Sequence, residues 1–139
     1  MKSRYATLKH LTRSIAQAQQ IFYLANGSDA TSFTELDVDL PVGDTSEKFN
    51  EKTLDQYTYP WGFCHIKTND NGNIQSQCVN TQIGMGYLVG GRGTSADCYV
   101  YGSANEADHP IQNDICKSET GLSKRSGTSS EEKYVRWRY

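Results

Sequence analysis

An apolar stripe between Tyr5 and Gly27 constrains this chain more than any other feature. Leu8, Leu11, Ile15, Ala18, Phe22 and Ala25 recur at spacings of 3, 4, 3, 4 and 3, with Lys9, Arg13, Gln17 and Gln20 between them. That is the period of an amphipathic helix. No proline interrupts the run, and Asn26-Gly27 supplies the residue types that take a left-handed conformation and close a helix. The expected helix has about six turns, at about 3.6 residues per turn. Its stripe must be covered, so the rest of the chain has to provide a second layer.

A chain of 139 residues is one domain with room for a real core. Nine tyrosines against four phenylalanines suit strands whose rings lie partly in water. The net charge of −2 creates no global field for nucleic acid or membrane. Charge is nevertheless uneven: Lys2, Arg4, Lys9 and Arg13 stand without acids at the start, and residues 28–60 are strongly acidic. No run approaches the roughly 18 apolar residues that span a bilayer, and no signal-peptide pattern is present. Cys64, Cys78, Cys98 and Cys116 contain no C-x-x-C pair, which disfavours a zinc knuckle or a thioredoxin-type site. Their wide spacing reads as two disulfides and an oxidising compartment.

Cysteine count leaves three connectivities open; local structure chooses among them. Asn69-Asp70-Asn71-Gly72 suits a type I turn followed by a left-handed glycine, the three-residue hairpin loop. Setting Asn69 opposite Asn73 places Cys64 opposite Cys78 in a non-hydrogen-bonded pair, with Cα atoms about 4.5 Å apart, within disulfide reach. The same register puts Cys64, Ile66, Ile74 and Cys78 on one face, the candidate cover for the helix. Trp61 and Phe63 then point away, which requires either a bulge at Gly62 or a second covering layer.

Further along, Ile83, Met85, Tyr87 and Val89 alternate with Gly84, Gly86, Leu88 and Gly90. The run reads as a strand whose glycines leave room for a neighbouring backbone or helix, ending in the turn Gly90-Gly91-Arg92-Gly93. No Lys-Ser/Thr follows, so a phosphate cradle is not expected. Cys98–Tyr101 is another short strand, and Lys133–Tyr139 a last one. Cys98 and Cys116 remain as partners; closing their loop contributes roughly 3 kcal/mol by chain entropy. Ser32 and Glu35 have capping-box spacing, Asn113–Ser118 has brief helical character, and the acidic residues 42–58 read as a surface loop. The expected architecture is α+β: a helix over 1–27, a connecting loop over 28–60, a 3–5-stranded antiparallel sheet over 61–102, and a disulfide-closed segment over 98–139.

The string Ala16-Gln17-Ala18-Gln19-Gln20-Ile21-Phe22-Tyr23-Leu24-Ala25-Asn26-Gly27-Ser28, with Ala30-Thr31-Ser32-Phe33, Glu35-Leu36 and Leu40-Pro41 after it, resembles the type IV pilin family, including the pseudopilins of type II secretion. The match is to the passage from the long helix into the loop that follows it. The Cys98…Cys116 pair is similar to the bracket around the D-region of pilins. The resemblance implies a pilin-like fold and a fibre subunit exposing its head for adhesion, motility or secretion. It also implies that residues 1–26 are the second half of a longer helix whose apolar first half anchors a precursor in the inner membrane. Partners would be further pilin subunits, the location the cell surface, and no cofactor or small-molecule substrate is implied.

Catalytic signatures are missing: no G-x-S-x-G or H-E-x-x-H occurs, and His10, His65 and His109 lie in unrelated contexts. An enzyme is therefore not expected, nor a metal at Asp37 and Asp39, whose alternation fits a solvated face. Asn26-Gly27-Ser28 matches a glycosylation sequon, but helix closure accounts for it. The tail Lys133-Tyr134-Val135-Arg136-Trp137-Arg138-Tyr139 interleaves cations and rings as single-strand binders do. Lys133, Arg136, Trp137 and Arg138 are accordingly candidate contacts for DNA or another ligand, against the plainer reading of a charged edge strand.

Overall fold

The computed structural model describes residues 1–91 and 93–139. The chain is α+β, with a long helix packed on one antiparallel sheet. Helix α1 spans Lys2–Asn26 and closes at Gly27 (φ 75°), whose N–H donates to the Tyr23 carbonyl at 2.8 Å. The strands are β1 (Thr53–Tyr59), β2 (Gly62–Thr68), β3 (Ile74–Asn80), β4 (Met85–Gly90), β5 (Ser95–Tyr101), β6 (Gly127–Ser129) and β7 (Tyr134–Arg138). They form a single sheet in the order β1-β2-β3-β4-β5-β7-β6, with α2 (Pro110–Thr120) between β5 and β6.

Seven strands replace the expected 3–5, and the sheet runs well beyond residues 61–102. The first addition, β1, falls inside the stretch expected to be loop. Thr53-Leu54-Asp55-Gln56-Tyr57 carries few aliphatics, yet it pairs with β2 through a register shift between Thr53 and Asp55. The second, β6, is three residues long and holds only to β7. Helix α2 outgrows the expected Asn113–Ser118: Pro110 takes a first-turn position, where its missing N–H costs nothing, and Gly121 (φ 74°) ends it.

The hairpin register is as the turn chemistry predicts. Asn69 N–H donates to the Asn73 carbonyl at 2.9 Å, Gly72 adopts φ 78°, and Cys64 pairs with Cys78. The disulfides join Cys64 to Cys78 (Cα–Cα 4.0 Å) and Cys98 to Cys116 (5.7 Å). The second ties α2 to β5. Trp137 reinforces that junction, donating its indole N–H to Asn113 Oδ1 at 2.9 Å in full burial.

The seam of α1 is rotated from the expected stripe. The buried line is Tyr5, Leu8, Thr12, Ile15 and Gln19, flanked by Ala16 and Ala18. Leu11 and Phe22 pack only partly against the core, and Ala25 is exposed. The cause is two polar side chains that the sheet and loop require. Thr12 Oγ1 lies 2.7 Å from the Leu8 carbonyl and 3.2 Å from that of Tyr87, and it accepts from the Cys78 N–H at 3.1 Å. One hydroxyl thereby joins α1 to the backbones of β3 and β4. Gln19 clamps the loop beyond the helix: its Nε2 donates to the Ala30 carbonyl (2.8 Å), and its Oε1 accepts from the Ala30 N–H (2.9 Å).

After Ala30, the turn Phe33–Glu35 carries the expected capping box, with Glu35 Oε1 accepting from the Thr31 and Ser32 N–H groups. Those bonds hold the Glu35 carboxyl below its usual range, led by the one from Thr31. Phe33 stacks on Tyr57 at 4.6 Å, fastening the loop to β1.

Candidate functional site

The two faces of the sheet have opposite characters because strand side chains alternate. Cys64, Ile66, Cys78, Met85, Tyr87, Cys98 and Val100 face the helices in the core. Phe63, His65, Gln77, Leu88, Tyr99 and Tyr101 point to the other side, by the same strand registers. A second covering layer, rather than a bulge at Gly62, accounts for Phe63: the ring of Phe49 packs on Phe63 (5.0 Å), His65 (5.8 Å) and Tyr101 (6.0 Å). Gly62 pairs regularly with Asn80. Trp61 stacks on Tyr59 at 5.1 Å.

Beside Phe49 this face opens into a hollow of about 490 Å3 floored by Gln75, Gln77, Leu88, Tyr99, Tyr101 and Tyr134. Tyr99 and Tyr101 are two apart on β5 and stack at 5.6 Å with planes 10° apart. Tyr134 of β7 meets both edge-on, at 5.0 and 6.2 Å. Gly86 of β4 makes this possible. A Cβ on Gly86 would come within 3.1 Å of the Tyr101 ring and 3.2 Å of Gln77 Nε2. The room Gly86 leaves is therefore used by a ring on the open face, not by α1. Of the expected glycine turn after β4, Arg92 lies outside the described residues.

Beneath the rings runs a buried polar chain. Thr53 Oγ1 is 2.9 Å from His65 Nδ1, His65 Nε2 is 2.8 Å from Gln77 Oε1, and Gln77 Nε2 donates to the Tyr101 hydroxyl at 2.6 Å. Because Gln77 presents its oxygen, His65 carries its proton on Nε2 and accepts from Thr53 at Nδ1. Burial pushes the imidazole down to about 4. Burial also raises the Tyr99, Tyr101 and Tyr134 phenols, so all three remain protonated near neutral pH.

Around the hollow, two of the four lining cations are paired with carboxylates. Arg138 binds the buried Asp97 with two bonds, of 2.9 and 3.2 Å, the planar geometry that suits guanidinium and carboxylate. Lys52 pairs with Asp70. Lys67 donates to Gln75 Oε1 at 2.9 Å, and burial lowers its ammonium from the usual lysine range. Among the described residues the Arg136 guanidinium donates to the Ser126 carbonyl, at 3.5 Å.

The tail candidates divide on this geometry. Arg136 and Arg138 line the hollow. Trp137 does not, since alternation along β7 turns it into the core, where it offers no face to a ligand. Lys133 is exposed at a turn with φ 58° and lies outside the hollow. The rings that do face outward, Tyr99 and Tyr101, were legible only through the parity of β5 around Cys98.

His10 is exposed on α1 and His109 is partly buried ahead of α2; neither approaches His65 in sequence or element. Asp37 and Asp39 are exposed. Among the described residues no group of three or more His, Cys, Asp or Glu is placed to hold a metal ion, and no helix is long and apolar enough to cross a membrane. No family model matches the chain, and neither a curated protein nor a solved structure does.

Proposed function

We propose that this domain is the head of a filament subunit of the type IV pilin or pseudopilin kind, with a structural rather than catalytic role. The observation that carries the reading is the layering. A 25-residue helix lies along one face of an antiparallel sheet, and a disulfide brackets the C-terminal segment on the same side. This is the arrangement implied by the string from Ala16 to Ser28.

In such a filament α1 turns inward, packing beside its counterparts, and the opposite sheet face looks outward. The full-length precursor would sit in the inner membrane before assembly, and the assembled fibre at the cell surface would serve adhesion, motility or secretion. Charge fits contacts between unlike patches of identical subunits. Lys2 and Arg4 are exposed at one end of α1, and Asp44, Glu47 and Glu51 are exposed on the acidic loop. Heterologous contacts of this kind extend into filaments when the rotation does not close.

The test is assembly in the native host. Antibody to the domain should label material sheared from the cell surface, and reversing Glu47 and Glu51 to Lys should lower the yield of that material. Protein found only in cell bodies, or unchanged yield after charge reversal, would count against the proposal.

A further inference from the structure

We infer that the tyrosine-floored hollow is a binding site for a neutral, polyhydroxylated ligand of the oligosaccharide class. The inference stands on the open sheet face alone and does not depend on filament assembly.

Three observations lead to it. The hollow, at about 490 Å3, lies in the range of small-ligand pockets, about 300–1,000 Å3. Its floor is built of flat rings with polar tips, which give apolar contact to C–H faces and hydrogen bonds to hydroxyls. Its polar groups are mixed and partly unspent. Tyr99 and Tyr134 hydroxyls, Gln75 Nε2 and the Glu132 carboxylate make no hydrogen bond to protein among the described residues, whereas Gln77 bonds through both its oxygen and its nitrogen and Lys67 donates to Gln75 Oε1. A sugar hydroxyl both donates and accepts, so donors and acceptors set side by side around rings suit it.

Charge decides against the polyanion. Lys52 and Arg138 are each matched by a carboxylate, Asp70 and Asp97, and the Glu132 carboxylate shares the lining with the two remaining cations, Lys67 and Arg136. Single-strand binders instead line their grooves with unpaired cations and show steep salt dependence. The ring that would have completed a basic stacking tail, Trp137, is in the core.

The test uses the domain itself on an array of neutral hexose and N-acetylhexosamine oligosaccharides, with oligothymidine as the polyanion probe. A bound oligosaccharide is then titrated at low and high salt against wild type, Gln75→Ala and Tyr134→Phe. Tyr134→Phe deletes one hydroxyl and leaves the ring, so the fold is kept. The expected result is binding insensitive to salt and weakened about tenfold by either variant, the value of one hydrogen bond. The inference is overturned if no oligosaccharide on the array binds, if both variants bind as wild type does, or if oligothymidine binds instead with affinity falling steeply in salt.

Discussion

Acidification should destabilise this domain through His65, and the size of the effect follows from its surroundings. The imidazole is fully buried between Thr53 and Gln77, with the edges of Phe49 and Phe63 against it. Protonation at Nδ1 would place a second donor opposite the Thr53 hydroxyl and a charge in a fully buried ring. Burial therefore depresses the group from 6.5 to about 4, with Lys67 adding a smaller push and the Gln77 bond opposing both. The unfolded chain binds the proton first as pH falls, so this stability is fully present above 6.5 and is lost on the way down to about 4. At about 1.4 kcal/mol per pKa unit, the whole loss is about 3 kcal/mol. Roughly 2 kcal/mol of it falls between about pH 7 and about pH 5, before most carboxylates titrate. Urea unfolding followed by tryptophan fluorescence, at pH values across that window, measures it. His65→Gln is the control, since an amide can bond both neighbours and does not titrate. Wild type should lose stability across the window while the variant stays nearly flat. Parallel profiles for the two proteins would show the reasoning about His65 to be wrong.

Other perturbations address the polar seam and the disulfides. Thr12→Val keeps the shape but leaves the buried Cys78 N–H without the hydroxyl it donates to; chemical denaturation should show a loss of about 1–3 kcal/mol. Gln19→Leu strips both partners from the Ala30 backbone, and the expected cost is about 3 kcal/mol, with earlier proteolysis in the loop after α1. Replacing Cys98 and Cys116 with Ser opens an 18-residue separation and should cost about 3 kcal/mol. Limited proteolysis of that double variant should cut first between β5 and β7.

Much of the fold was readable where the information is local. Helix α1 follows from period and from Asn26-Gly27; the Cys64–Cys78 pairing follows from a turn whose residues permit one register. The candidate site was half readable. Strand parity around Cys98 sends Tyr99 and Tyr101 away from the core, and the same parity applied to β7 sends Trp137 into it. The tail as a composition pointed to Trp137 as a ligand contact because composition carries no direction.

Taken alone, the amino-acid order determined α1, the β2–β3 hairpin, both disulfides and the α+β class. Each depends on residues close in sequence, on a register that one turn propagates or, for Cys98–Cys116, on the two cysteines that register leaves over. Tertiary structure decided that Thr53–Tyr59 joins the sheet, that β7 inserts between β5 and β6, and that Thr12 and Gln19 lie in the helix seam. A polar residue on a helix looks solvent-facing until the backbone groups it must satisfy are known, and those belong to Cys78 and Ala30. The hollow is likewise a product of assembly, since Gly86 is only a missing side chain until Tyr101 from the next strand lies across it.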